Sequence, residues 1–160
     1  ILKGIKGTVK ELAERHVKRR QFWVGLLEKI KEKNLELFAN IKAGKEHWIQ
    51  TGSGKSGITY NYVILMHSAR VELYIDTGKQ DDNKTIFDEL FSQKDKIETM
   101  FGKALDWQRL DDKRASRISV YVNKRIGLKN EDLWDKLQED MVEIMTRFEK
   151  ALKGPITTIR

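Results

Sequence analysis

Residues 51–76 read TGSGKSGITYNYVILMHSARVELYID. The first seven resemble a phosphate-binding loop, and their surroundings withdraw that reading. Such a loop needs a glycine five residues before its Gly-Lys pair and a helix directly after it, so that backbone N–H groups converge on phosphate. Position 49 is Ile49, and the following residues, Ile58 to Ile64, are β-branched and aromatic, a composition that favours strand. The glycine-rich segment therefore reads as a hairpin connection, Ile58 to Met66 as a strand, and His67-Ser68 as a tight turn. Arg70-Val71-Glu72-Leu73-Tyr74-Ile75-Asp76 alternates with period two, which places Val71, Leu73 and Ile75 on one face and Arg70, Glu72, Tyr74 and Asp76 on the other. With a short strand at Glu46 to Gln50, the result is a three-stranded antiparallel meander.

Helices flank this meander. Thr8, with Glu11 three residues on, has capping-box spacing. Val9, Leu12, Ala13, His16, Val17, Trp23, Val24, Leu27 and Ile30 then recur at three- and four-residue steps, predicting a long amphipathic helix to about Asn34. The run Phe22, Trp23, Val24, Leu26 and Leu27 is broader than the apolar stripe of a lone surface helix. Asp82 or Asn83 is expected to cap a second helix carrying Ile86, Phe87, Leu90, Phe91, Ile97, Met100 and Phe101, stopped by Gly102. Leu105 to Leu110 and Ser116 to Val122 read as two further strands. Asn130 opens a last helix with Leu137, Met141, Met145, Phe148 and Leu152 on its buried face, ended by Gly154-Pro155. The order αβββαββα predicts an α+β fold: a mainly antiparallel sheet of about five strands with helices packed on one face.

The 160 residues fit one domain, 1–160, with 1–20 as a helical lead-in from a longer parent protein and 21–153 as the core. The chain has no cysteine, which excludes disulfides and thiolate metal sites and is compatible with a reducing cytoplasm. No apolar run approaches the roughly 18 residues that span a bilayer, so no membrane partner is expected. The net charge is +7, and residues 1–33 hold ten Lys or Arg against four acids, a balance of +6. Basicity concentrated in one segment points to a polyanion.

No catalytic constellation is present. Restriction-endonuclease-like sites need an acidic residue, one intervening residue and a lysine on the third strand, where acids hold a divalent cation and lysine assists water. Here Tyr74 stands where lysine should be, after Glu72, and only Asp76 offers a further oxygen ligand. The favoured reading of Glu72 and Asp76 is a polar sheet face with cross-strand ion pairs. His47 and His67 lack ligand partners at useful spacing, and neither Ser53 nor Ser56 lies in a nucleophile elbow. No catalytic residue, metal ligand or cofactor is nominated. The residues expected to touch phosphate are Lys18, Arg19 and Arg20 on the first helix, Lys55 in the glycine loop, and Arg114 and Arg117 around the second hairpin.

Several clusters together resemble one prokaryotic family, number 4268 among the domains of unknown function. They are Trp23 with Leu26-Leu27, His47-Trp48-Ile49 before the glycine loop, Arg70 to Asp76 followed by Asn83-Lys84 and Ile86-Phe87, Leu105-Asp106-Trp107, Arg114 to Ile118, and Trp134 with Arg147-Phe148. The resemblance spans roughly residues 20–153. It implies the C-terminal domain of a larger protein with a nuclease-like or defence-associated N-terminal domain, and it supplies no active-site residues. The expected function is an accessory domain binding DNA or RNA for a covalently linked, DNA-associated partner domain. The alternatives are a protein-interaction or homodimerisation module, or a degenerate restriction-endonuclease-like fold without activity.

Overall fold

The structure, a computed structural model, describes residues 2–160 and their side chains from Thr8 onward; Lys3 and Lys6 of the basic segment lie outside the described side chains. The elements run α1 (Leu2–Glu32), β1 (Trp48–Gly52), β2 (Ile58–Ile64), β3 (Ala69–Ile75), α2 (Gln80–Phe91), α3 (Lys94–Phe101), β4 (Asp106–Gln108), β5 (Ser116–Asn123), a 3-10 turn (Glu131–Leu133) and α4 (Trp134–Thr157). The five strands form one sheet in the order β1-β2-β3-β5-β4, and every neighbouring pair is antiparallel. This is the α+β architecture that the alternation and stripes predict.

One sheet face is the core face. Ile58, Tyr60, Tyr62 and Ile64 of β2, Val71, Leu73 and Ile75 of β3, and Ile118 and Val120 of β5 pack there against Phe22, Trp23, Leu26 and Ile30 of α1 and the apolar stripe of α4. Phe87 and Leu90 of α2, and Ile97 and Phe101 of α3, close the same cluster. Three indole N–H groups fix elements to one another: Trp23 donates to the Glu46 carbonyl at 2.9 Å, Trp107 to Glu98 Oε2 at 3.1 Å, and Trp134 to the Leu128 carbonyl at 3.0 Å. Burying such large rings with their polar atom satisfied keeps the hydrophobic gain without an unpaired donor.

Several boundaries differ from the sequence reading. Thr8 does not open α1, because the helix already runs from Leu2. The expected second helix is two, since the chain breaks at Ser92 and Gln93, and α3 ends on Gly102 in the left-handed conformation (φ 103°), as the glycine stop requires. Neither Asp82 nor Asn83 caps α2, which begins at Gln80. Pro155 does not end α4; the helix continues to Thr157 with Pro155 and Ile156 buried. A proline in the final turn costs only one backbone bond there, and apolar packing on both sides offsets it. Burial likewise extends past residue 153, to Ile159.

Candidate nucleic-acid interface

The other sheet face presents the side chains of alternate residues, and strand register sets their order. One row runs Gln50, Asn61, Glu72, Ser119 and Asp106 across all five strands. A second row runs Trp48, Val63, Arg70 and Tyr121, and a third Thr59, Tyr74, Arg117 and Gln108. Between them lies a groove of about 290 Å³, lined by His47, Trp48, Gln50, Asn61, Val63, Arg70, Glu72, Tyr74 and Arg117. All of these belong to the sheet except His47, immediately before β1, so no helix side chain lines it.

Glu72 is the centre of this face. Its residue is only 4 % exposed, although no helix lies over it. Oε1 accepts from Arg70 Nε at 3.0 Å and sits 3.5 Å from Arg117 Nε, while Oε2 accepts from Asn61 Nδ2 at 3.3 Å. Thr59 Oγ1 in turn donates to Asn61 Oδ1 at 2.9 Å. The expected cross-strand ion pair is therefore present, but buried rather than solvent-facing. A carboxylate so enclosed is tolerable only because two guanidinium groups compensate it.

The way the arginines are engaged has a chemical consequence. Both approach Glu72 through Nε, the inner donor. Among the described residues, the terminal nitrogens of Arg70 make no hydrogen bond, and those of Arg117 make one, from Nη1 to Gln108 Oε1 at 3.3 Å. Arg117 Nε is buried and held by charge alone, without hydrogen-bond geometry. Terminal guanidinium forks are the part of arginine that matches phosphate geometry bidentately. Glu72 thus orients two forks without saturating them.

Aromatic rings flank the forks. Trp48 and Tyr121 are each 38 % exposed. Trp48 is the one tryptophan whose indole N–H has no hydrogen bond among the described residues, and its ring stands edge-to-face against His47 at 4.8 Å. Lys124 Nζ lies 5.7 Å from the Tyr121 ring centre. Burial, together with the charges of Arg19 and Arg70, pushes the His47 imidazole below its ordinary value, so the ring is neutral near pH 7.

The six cations singled out from sequence do not form one patch. Lys18 pairs with Glu131 at 2.6 Å, and Arg19 Nη1 reaches the Lys45 carbonyl at 3.5 Å. Arg20 is exposed beside a groove on the outer side of α1. Lys55 Nζ donates to the Ile159 carbonyl, and Arg114 grips Asp76 through Nε at 3.0 Å and Nη2 at 2.7 Å. Only Arg117 lies in the sheet-face groove. Arg70 and Trp48 complete it; the alternation of β3 marks Arg70, whereas Trp48 becomes legible only once the register is known.

The same geometry bears on metal chemistry. Asp76 accepts from Gly78 N–H at 2.9 Å and Asn83 Nδ2 at 3.2 Å besides Arg114, which leaves little for a cation. Glu72 faces two guanidinium groups, an electrostatic environment hostile to a divalent ion. Among the described residues no three His, Asp or Glu side chains gather as a metal site, and no helix is long and apolar enough to cross a membrane.

No curated protein and no solved structure matches the chain. The family described as "Domain of unknown function (DUF4268)" matches over residues 18–156, a span that holds the whole sheet, the groove and all but the last residue of α4, and the chain belongs to that family.

Proposed function

We propose that this domain is a non-catalytic accessory module that holds nucleic acid on the uncovered face of its sheet, positioning it for a DNA-associated partner domain of a larger prokaryotic protein. The observation that carries the reading is the Arg70–Glu72–Arg117 arrangement, in which a buried carboxylate orients two guanidinium groups through Nε and leaves their forks toward a groove. Pre-ordering of this kind lowers the entropic cost of gripping a phosphate. The basic segment of α1 supplies long-range attraction, and the sheet face supplies contact.

The test is fluorescence anisotropy with labelled DNA and RNA across a salt series. Two phosphate contacts give a shallow dependence, with log K falling against log salt at about −1.4 on single strands and −1.8 on duplex. Arg70→Gln and Arg117→Gln are expected to weaken binding strongly, and Lys18→Glu with Arg20→Glu to weaken it mildly. Absence of binding at low salt, or sheet-face variants that bind like the parent, would overturn the proposal.

A second reading concerns α1. Val9, Val17 and Val24 are 63 %, 55 % and 45 % exposed, and with Ala13 they recur at steps of four, four and seven residues along its outer side. Such a stripe beside grooves carrying Arg20 and Lys45 suits a protein contact with acidic surroundings. Self-pairing would oppose Lys10, Arg15 and Lys18 to their own copies, so a different partner chain or domain fits better than a homodimer. Light scattering over a concentration series checks this: a concentration-independent monomer is expected.

A further inference from the structure

From the placement of Trp48 and Tyr121 we infer that the sheet face takes unpaired nucleotides: a single strand laid across the strands, with bases stacked on the two rings and the intervening phosphates on the forks of Arg70 and Arg117. This inference rests on the nucleic-acid reading above and narrows it to one strand class.

The argument begins with register. Trp48, Val63, Arg70 and Tyr121 are successive partners across β1, β2, β3 and β5. Three strand spacings separate the rings, about 14 Å. Stacked bases advance about 3.4 Å along a strand, so bases on both rings cannot be stacked on one another. A strand whose bases reach both rings must cross the row in which Arg70 stands. Arg117 lies two rows on, beyond the Glu72 row, and is joined to Arg70 through Glu72.

Exposure gives the second step. The other three tryptophans spend their N–H groups on the fold, whereas Trp48 spends neither its N–H nor its full ring surface. Keeping so large an apolar surface in water is unfavourable, and base stacking would relieve it. The edge-on His47 and the cation above Tyr121 hold the two rings. A duplex cannot use them, because its base faces are covered by stacking. The Gln50 amide, two residues along β1 from Trp48, makes no hydrogen bond among the described residues and provides a donor and an acceptor for a base edge.

The probes are fluorescein-labelled 10-nucleotide strands, oligo-dT and oligo-U, and a 16-base-pair duplex, each titrated with the intact chain. Single strands are expected to bind at least about tenfold tighter than the duplex, with Trp48→Ala and Tyr121→Ala each weakening them about 5- to 160-fold, the range of base–aromatic stacking. Trp48→Phe, which keeps a ring, should retain most of the affinity, and oligo-dT should quench Trp48 emission in the parent. Equal or better duplex binding, or alanine variants that bind single strands like the parent, would overturn the inference. Losses confined to Arg70→Gln and Arg117→Gln would leave the phosphate reading standing and remove this one. Losses confined to the ring variants would overturn the phosphate reading and, with it, this inference's placement of phosphate on the forks, and no binding to any probe would end both. Thermal melts confirm that every variant remains folded.

Discussion

Lys84 shows how a charged residue can belong wholly to the architecture. Its residue is 7 % exposed, and Nζ donates to the carbonyls of Arg109 at 2.6 Å, Leu110 at 2.8 Å and Ala115 at 2.8 Å, and to Ser116 Oγ at 3.0 Å. One ammonium thereby gathers the whole β4–β5 connection onto α2. Its neighbour Asn83, fully buried, does the same for the β3–α2 turn, accepting from Thr77 N–H at 2.7 Å and donating to the Arg114 carbonyl at 3.0 Å. The Asn83-Lys84 pair thus has a structural purpose. Lys84→Met keeps the volume but removes the ammonium from the Ala115 carbonyl and from the Arg109, Leu110 and Ser116 oxygens. Of these, Arg109 and Leu110 keep donors in Ser116 Oγ and the Lys113 N–H, so the variant is expected to destabilise the domain by about 1–3 kcal/mol, read from the urea midpoint. Asp76 adds a pH dependence. The Arg114 guanidinium holds its carboxyl below the usual carboxylate range; partial burial opposes this, and bonds from Gly78 and Asn83 reinforce it. A depressed carboxylate stabilises the fold above its unfolded value, near pH 4, and that contribution is lost as pH falls through the folded value. Stability should therefore decline below about pH 4, and Asp76→Asn should flatten part of that decline in urea titrations. At this scale Glu72 and Arg70 were legible, since alternation along β3 puts them on one side. Arg117 could not be joined to them, because its neighbour across the sheet depends on a register that no local pattern states.

Among the elements, legibility follows the strength of the local signal. The strands at 58–64 and 69–75 are dense in β-branched and aromatic residues, and both appear within two residues of expectation. The break between α2 and α3 is hidden because Ser92 and Gln93 are no helix breakers; tertiary packing of Ile97 and Phe101 beside Phe148 redirects the chain there. Pro155 misleads in the opposite sense, a strong local signal overridden by burial. The segment after β5 carries an element-scale constraint of its own. Leu128 and Lys129 N–H groups donate to the Leu65 and Met66 carbonyls at 2.8 and 3.1 Å, which lays this segment on the β2–β3 turn. A Cβ on Gly127 would stand 2.3 Å from the Leu65 oxygen and 2.5 Å from the Ser68 nitrogen, both backbone atoms. Gly127→Ala must push the turn and the segment apart. Its cost should reach or exceed the upper part of the roughly 1–3 kcal/mol of an overpacked site, with the Leu128 amide losing protection in hydrogen exchange.

At the scale of the molecule, two surfaces divide the work that the composition alone assigned to one. The +6 balance of residues 1–33 is real, yet its cations are spread round α1, and several are engaged within the fold. The sheet face carries little net charge and gains its capacity from order instead. This separation makes α1 divisible. Among the described residues its first buried side chain is Phe22, followed by Trp23, Leu26 and Ile30, whereas Thr8 to Glu14 are exposed throughout. At 1.5 Å per residue the stretch from Thr8 to Gln21 is about 21 Å of helix with no buried side chain. A chain beginning at Val17 keeps every core residue among those described and Lys18, whose exposed pair with Glu131 is worth at most about 1 kcal/mol. It should therefore fold with an unfolding free energy within about 1 kcal/mol of the parent and bind labelled single strands with an unchanged salt slope. It should also lose any partner that reads the Val9–Ala13–Val17 stripe. A large fall in the urea midpoint would show that the helix start supports the core after all. A flattened salt slope would move the phosphate contacts from the sheet to the removed cations, Lys10 and Arg15 among them.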